Sequence, residues 1–218
     1  MNLDVKHYIH KAKWIGDELC DEVITTLDNE NTWLPFPKDV VGAYPGEERP
    51  QDGIVGSSLS IDWEQFIGDP DIPEQERNYG LAHLQNQIVL DKIRASMNKG
   101  LDHYVHKHLK DIEWYDYYRD FTDPKFMKYQ PTHDMQLHCD HVGNAVGGKG
   151  IPTVSMVGCL NNDYKGGYLR FFEHAGPAGS EYWLNKGDII YFPSNFLYPH
   201  RVTEVTEGLR YSFVSWVW

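Results

Sequence analysis

The sequence predicts an α+β protein, mainly β, whose core is a double-stranded β-helix (jelly-roll) with flanking N-terminal helices. Short apolar runs separated by turn signals follow one another through residues 125–218, which indicates about seven or eight strands. The half before them carries helical periodicity instead. At 218 residues the chain is long enough for one well-packed domain. We therefore predict a single domain, 1–218, in which a support region, 1–124, precedes a jelly-roll core, 125–218.

The sequence of the support region predicts two helical stretches and one long loop. Residues 5–15 indicate a short strand region. A helix follows over 17–29, because its apolar residues recur on one face. The stretch 38–58 is rich in glycine, proline and charge, and forms either a surface loop or a lid over a substrate. A second helical stretch covers 73–110, since Pro73 suits the first turn of a helix.

The sequence of the jelly-roll core predicts a series of short strands. The first covers 126–130, a buried strand covers 153–160, and another covers 168–172. A hairpin over 182–192 follows, with its turn at 185–188. The last two strands of the chain complete the core.

A His-x-Asp motif lies on a further strand, between the strands over 126–130 and 153–160. In an extended strand, residues two apart point to the same face, so His138 and Asp140 share one face while Leu137 and Cys139 share the other. A chain with 11 histidines is expected to hold such a motif by chance. The motif therefore needs support from a third ligand.

A distal histidine, His200, offers that third ligand. Two imidazoles and one carboxylate on an open face suit Fe(II) and leave three positions for other ligands. A closed set of four Cys and His ligands would suit structural zinc instead. We predict that His138, Asp140 and His200 hold an iron ion.

The final strand carries an isolated arginine among aromatic residues. Alternation places Arg210, Ser212, Val214 and Trp216 on one face. A buried guanidinium needs an anion, and it binds a carboxylate through two parallel hydrogen bonds. Ser212 could add a hydroxyl donor beside it. Arg210 therefore binds either an anionic ligand or one of the 32 acidic side chains of the chain itself.

The spacing from His138 and Asp140 to His200 and then to Arg210 resembles that of the 2-oxoglutarate- and Fe(II)-dependent dioxygenases. The prolyl 4-hydroxylase-like branch is the most similar. Residues 160–171 resemble the strand, turn and Gly-Gly strand of that branch. The resemblance covers the jelly-roll core well and the support region only loosely.

This resemblance implies the cofactors. Fe(II) is expected on His138, Asp140 and His200, with 2-oxoglutarate as cosubstrate and O2 as oxidant. Ascorbate is left open as an added reductant. Asp140 also implies hydroxylation, because related halogenases carry a smaller residue there that leaves room for a halide.

The resemblance further implies a pocket for the cosubstrate. Arg210 is expected to hold the distal carboxylate of 2-oxoglutarate. A tyrosine near the position of Tyr129 lines this pocket in the family, so Tyr129 is a candidate partner, with core packing as the alternative. Some prolyl hydroxylases have a second tyrosine where this chain has Cys159. The second contact is therefore left to Tyr129 or Ser212.

The leading functional prediction is hydroxylation of an unactivated C–H bond, in a prolyl residue of a peptide or in a free amino acid. Another residue or a small molecule is the first alternative. A jelly-roll metal-binding module that does not use 2-oxoglutarate is another, and a cupin-type metalloenzyme is a third. The glycine-rich loop 143–152 resembles in position the loop that closes over substrate in prolyl hydroxylases.

Composition narrows the partners and the compartment. The formal net charge of −12 argues against nucleic acid and fits a neutral or cationic substrate. The three cysteines are an odd number without paired spacing, which is typical of a reducing compartment. No apolar run approaches a membrane span, and the polar start does not resemble a signal peptide. We expect a soluble, cytoplasmic protein, and the sequence leaves its oligomeric state open.

Overall fold

The computed structural model of the chain describes residues 4–30, 33, 80–112, 118, 120–141, 151–173 and 179–218. Twelve strands and two α-helices make up most of this part. The helices are α1 (Asp17–Glu30) and α2 (Gln87–His103), with a 3-10 turn at Val5–Tyr8 and a π-helical turn at Tyr104–His108. The strands are β1 (His10–Lys13), β2 (Gly80–Ala82), β3 (Lys125–Tyr129), β4 (Met135–His138), β5 (Val154–Cys159), β6 (Tyr164–Gly166), β7 (Leu169–Phe171), β8 (Ser180–Tyr182), β9 (Asp188–Pro193), β10 (His200–Val202), β11 (Val205–Gly208) and β12 (Arg210–Val217).

The strands form two main sheets and one ribbon. A six-stranded sheet has the order β1-β9-β5-β12-β3-β2, a four-stranded sheet has the order β4-β10-β7-β8, and β11 pairs with β6. From β3 onward the chain crosses repeatedly between the sheets, and of the described strands only β7 and β8 are consecutive strands of one sheet, which confirms the predicted double-stranded β-helix. Among the described residues, ten strands follow residue 124 rather than seven or eight, and four of them, β6, β7, β8 and β10, have only three residues each.

Both helices pack against the six-stranded sheet. Val23 of α1 and Met97 of α2 are fully buried in one cluster with residues of β5, β9 and β12. The Asn86 side chain caps α2 by accepting a hydrogen bond from the Val89 N–H. At Gly100 a Cβ atom would lie 2.0 Å from the Tyr191 hydroxyl, so a glycine there lets the helix approach β9 closely.

A second apolar cluster fills the space between the sheets. It combines Tyr129 and Val157 of the six-stranded sheet with Leu169 and Phe171 of the four-stranded sheet. The candidate site opens into this inner layer. Of the helices that the structure describes, none has the length and apolar character needed to cross a bilayer.

The predictions for the support region have mixed outcomes. The first helix is confirmed, and residues 5–15 form a 3-10 turn followed by the short strand β1. The helix predicted over 73–110 is wrong at Gly80–Ala82, where β2 pairs with the edge of β3. The backbone partners offered by that edge outweigh local helical propensity. The start of that helix and the loop 38–58 lie outside the described residues.

The hairpin predicted over 182–192 is also wrong. The turn itself exists, since the Asn185 N–H donates to the Asp188 carboxylate and Gly187 has a φ of +84°. However, β8 pairs with β7, whereas β9 pairs with β5 and β1. The turn therefore carries the chain from one sheet to the other, a distinction that local sequence does not encode.

Candidate active site

Strand pairing brings the three predicted metal ligands together. His138 ends β4, His200 begins β10, and the two residues face each other in the antiparallel register. Asp140 lies two residues beyond β4. One potential ligand atom from each of the three lies within 4.8 Å of the others. No other group of three or more such side chains within this distance occurs among the described residues.

Backbone hydrogen bonds orient both imidazoles. The His138 Nδ1 lies 2.7 Å from the Gln136 carbonyl oxygen, and the His200 Nδ1 lies 3.1 Å from the Tyr198 carbonyl oxygen. A carbonyl only accepts, so each Nδ1 carries a proton and donates it, which leaves Nε2 as the nitrogen of each ring that can bind a metal. Metal-binding histidines are commonly oriented by this arrangement.

The third ligand, Asp140, is buried between these rings. Its Oδ1 lies 3.3 Å from the His138 Nε2, and its Oδ2 lies 3.9 Å from the His200 Nε2. Burial opposes ionisation, but His200, His138 and the Ser155 hydroxyl outweigh it and hold the pKa of Asp140 well below its usual range. Burial, with the charge of His138, lowers the pKa of His200 to about 4. At neutral pH the site thus combines a carboxylate with a neutral imidazole, which suits Fe(II).

One cavity joins the three ligands to Arg210. Its walls also include Tyr129 and are otherwise mainly apolar, with Val157 and Leu169 contributed by the two sheets. A ligand with one end at the triad and the other at Arg210 would therefore be largely screened from water.

Arg210 is a buried cation without an acidic partner. It is 1% exposed, and none of the described acidic side chains lies within ion-pair distance of it. One guanidinium NH donates to the Ser212 hydroxyl at 2.7 Å, and Nε is buried without a hydrogen-bond partner in the described structure. Because an uncompensated buried charge is strongly unfavourable, this arrangement fits an anionic ligand.

The other two predicted pocket residues have different positions. Tyr129 pairs in register with Arg210 and lines the cavity, and its ring lies 5.3 Å from the guanidinium carbon. Its hydroxyl lies 3.3 Å from the sulfur of Met127. Ser212 accepts a hydrogen bond from Arg210 and braces the guanidinium from outside the residues that line the cavity.

Sequence reasoning missed three residues of this region. Tyr164 places its hydroxyl 3.3 Å from the sulfur of Cys159, with its ring 6.0 Å from the Arg210 guanidinium carbon. The small side chain of Cys159 thus leaves room for a phenol supplied by a different residue. Ser155 and Ser194 form a buried hydroxyl chain that ends on Asp140. Only the inward position of Ser155, two residues before Val157 on β5, could have signalled its role.

A second and larger cavity borders the strand ends near the triad. It has a volume of about 520 Å³, within the range of ligand sites. Tyr8, Tyr104 and Tyr198 line it together with apolar residues. His141, which follows Asp140, and Leu197, which leads towards His200, also line it. Of the predicted loop 143–152, only the last two residues are described, and both lie in this wall.

Comparison with known proteins agrees with this geometry. A family model described as the 2OG-Fe(II) oxygenase superfamily matches residues 124–218. This part of the chain is a 2OG-Fe(II) oxygenase domain. The match begins one residue before the predicted jelly-roll core, and it confirms the predicted family. No curated protein matches the chain in sequence.

Solved structures of prolyl hydroxylases share the fold of this oxygenase. A prolyl-4-hydroxylase from Pseudomonas putida has 18% identity and a TM-score of 0.57, covering 97% of this chain and 92% of its own. The viral collagen prolyl hydroxylase of Paramecium bursaria Chlorella virus-1, in a 2OG complex, has 16% identity and a TM-score of 0.56, with coverages of 96% and 94%. A Trichoplax adhaerens prolyl hydroxylase, in complex with a hypoxia inducible factor peptide fragment, has 14% identity and a TM-score of 0.54, with coverages of 97% and 84%.

The family implies Fe(II) and 2-oxoglutarate, and the residues of this oxygenase fit both. The two imidazoles and the carboxylate supply the donor set for the iron. The unpaired guanidinium of Arg210 supplies the charge that a dicarboxylate needs. Residues 124–218 therefore carry the metal-ligand set and the anion-binding group that a 2-oxoglutarate-dependent dioxygenase needs.

Proposed function

We propose that this oxygenase is a prolyl 4-hydroxylase-like enzyme that hydroxylates an unactivated C–H bond of a peptide. In this proposal His138, Asp140 and His200 hold Fe(II), and Arg210 holds the distal carboxylate of 2-oxoglutarate. The observation that carries it is a fully buried guanidinium, without a described acidic partner, that lines the same cavity as the triad. A structural metal module or a cupin that does not use 2-oxoglutarate would have no need for this anion anchor.

Some side chains of the site would bind the iron and the cosubstrate, and others exclude water from them. When bound, Fe(II), 2-oxoglutarate and O2 supply the oxidising chemistry. The Nδ1–H bonds to backbone carbonyls fix both imidazoles, so that each Nε2 points to one place. Arg210 would hold the distal carboxylate of the cosubstrate, and the hydrogen bond from its guanidinium to the Ser212 hydroxyl restrains the side chain. The apolar walls exclude water from a reactive centre.

Tyr164 is our candidate for the second contact to the distal carboxylate. Its hydroxyl stands beside Cys159, where the resemblance places a tyrosine in some prolyl hydroxylases. The ring of Tyr164 also lies 6.0 Å from the Arg210 guanidinium carbon. Tyr129 then packs against the guanidinium face as a wall of the pocket.

Three observations support a peptide as substrate. The 520 Å³ cavity beside the triad offers aromatic and apolar walls, and Ile151 and Leu197 at its edge are both 50% exposed. The net charge of −12 favours neutral or cationic partners. The Trichoplax enzyme of the same fold was solved with a peptide fragment. A free amino acid would leave most of this cavity unused.

The first test is anaerobic absorption of the purified protein titrated with Fe(II) and 2-oxoglutarate. A keto acid chelated to ferrous iron is expected to give a visible charge-transfer band. His200→Ala should abolish it, whereas His141→Ala, a matched change at an exposed histidine next to Asp140, should retain it. A folded, iron-loaded protein without the band would contradict the proposal.

The second test identifies the substrate. Proline-containing peptides, free proline and unrelated small molecules are incubated with Fe(II), 2-oxoglutarate and O2, with and without ascorbate. Mass spectrometry should show addition of one oxygen to a peptide, coupled to succinate formation. Oxygen addition confined to a small molecule would replace the peptide assignment and leave the reaction class intact.

A further inference from the structure

Two buried serine hydroxyls form a chain that ends on the metal-site carboxylate. The Ser155 Oγ lies 2.6 Å from the Asp140 Oδ2 and 2.8 Å from the Ser194 Oγ. Ser155 is fully buried, and Ser194 is 1% exposed. An ionised carboxylate only accepts hydrogen bonds, so Ser155 donates its single proton to Asp140. Ser194 must then donate to Ser155, which gives the chain one direction.

Backbone pairing fixes Ser155, and a backbone hydrogen bond ties Ser194 to Thr153, the residue before β5. Ser155 lies within β5, opposite Trp216 of β12 on one side and Phe192 of β9 on the other. The Ser194 N–H donates to the Thr153 carbonyl at 3.1 Å. Asp140, by contrast, lies beyond the end of β4 and outside its ladder of hydrogen bonds. The direction of its side chain therefore depends on the contacts of its oxygens.

The hydrogen bond distinguishes the two carboxylate oxygens. Ser155 holds Oδ2, which lies 3.9 Å from the His200 Nε2, while Oδ1 has no such hydroxyl and lies closer to a ligand nitrogen, 3.3 Å from the His138 Nε2. A carboxylate that turned both oxygens to the metal would occupy two positions. The triad would then leave two open positions instead of three. The two chelating atoms of 2-oxoglutarate and O2 require all three.

We propose that Ser155 is a positioning residue that keeps Asp140 bound to the metal through Oδ1 alone, and that Ser194 aligns Ser155 for this task. The inference rests on the proposed metal site. It assigns a role to two residues that touch neither substrate nor metal. A hydroxyl with a merely structural role would satisfy its own hydrogen bonds without influencing the coordination of the ion.

Co(II) is the probe for the test, because it accepts the same nitrogen and oxygen ligands as Fe(II) and its visible absorption depends on coordination number. The variants are Ser155→Ala, Ser155→Thr and Ser194→Ala. Ser215→Ala is the matched control, since Ser215 is also a fully buried serine and donates its hydroxyl to the Thr122 carbonyl instead. Circular dichroism confirms that each variant is folded before titration.

Ser155→Ala is expected to weaken Co(II) binding roughly 10- to 100-fold, as is usual for the loss of a partner that orients a metal ligand. Its visible band should also change in intensity, because the carboxylate gains freedom to bind through both oxygens. Ser155→Thr keeps the hydroxyl and should restore both affinity and spectrum. Ser194→Ala should cause a smaller loss in the same direction, and Ser215→Ala should leave Co(II) binding unchanged.

The outcomes separate this inference from the proposed function. If Ser155→Ala binds Co(II) with unchanged affinity and spectrum, the positioning role is refuted while the metal site stands. The role is equally refuted if folded Ser155→Thr behaves like Ser155→Ala. If the wild-type protein binds no Co(II), the proposed metal site itself fails.

Discussion

Replacement of Arg210 by methionine tests the anion anchor directly. Methionine fills much of the same volume without the charge or the donors. In the structure the guanidinium is 1% exposed, and the Ser212 hydroxyl is its only geometrically well-formed hydrogen-bond acceptor among the described residues. The positive charge therefore lacks an anionic partner among the described residues. Its removal should lower the affinity for 2-oxoglutarate much more than the stability of the fold.

The expected magnitude follows from this burial. Loss of one partner from a buried, hydrogen-bonded charge pair costs about 2–5 kcal/mol, and 3 kcal/mol corresponds to roughly a 150-fold weaker affinity. Without ligand the sign reverses, because an unpaired buried charge is itself unfavourable. Ligand-free Arg210→Met should therefore unfold at the same temperature as the wild type or higher.

Two measurements on the same samples decide the point. The anaerobic charge-transfer band gives the dissociation constant of 2-oxoglutarate, and thermal unfolding without ligand gives the stability. Arg170→Met is the control, since Arg170 is 40% exposed and pairs with Glu173 at 2.8 Å and with Glu181. It should leave 2-oxoglutarate affinity unchanged and alter stability by about 1 kcal/mol or less.

The opposite pattern would refute the reasoning. If Arg210→Met lowers ligand-free stability by more than about 2 kcal/mol and binds 2-oxoglutarate as the wild type does, Arg210 is part of a structural network. The case for an anion anchor would then disappear.

Three further predictions concern the pocket, the pH dependence and the core. Tyr164→Phe should raise the dissociation constant of 2-oxoglutarate about tenfold without weakening Co(II) binding, because a hydrogen bond to a charged group contributes about 1.5–3 kcal/mol; an unchanged constant would exclude Tyr164 as the second contact. Burial lowers the pKa of His133 from 6.5 to about 4, so the unfolded chain binds more protons between these values and stability is lost as the pH falls through them. Chemical denaturation at several pH values should show this loss, and His133→Gln should reduce its slope; an equal slope in the variant would exclude His133 as a source. Gly158→Ala should destabilise the fold by about 1–3 kcal/mol, because the new Cβ would lie 2.1 Å from the Phe213 ring. Gly16→Ala, where nothing lies within 4 Å, should be nearly neutral, and equal melting temperatures for the two variants would contradict the packing argument.

The sequence by itself determined the side chains that face inward. Alternation along a strand is a property of the local backbone, so it placed His138 with Asp140 and Arg210 with Ser212 before any tertiary contact was known. The turn at 185–188 was readable from its turn-forming residues, and β5 was readable as a continuous buried run. The order and spacing of the motifs then predicted the family and the fold.

Only the tertiary structure decided which of these side chains meet. The pairing of β10 with β4 sets His200 opposite His138, and β5 of the other sheet brings Ser155 to Asp140. The partnership of Cys159 with the Tyr164 phenol likewise depends on how the chain turns back between β5 and β6. Strand partners and register are chosen by the sum of many distant contacts, and no local period records them. For that reason the sequence predicted the candidate iron triad, while the hydrogen-bond partners of its side chains emerged only from the fold.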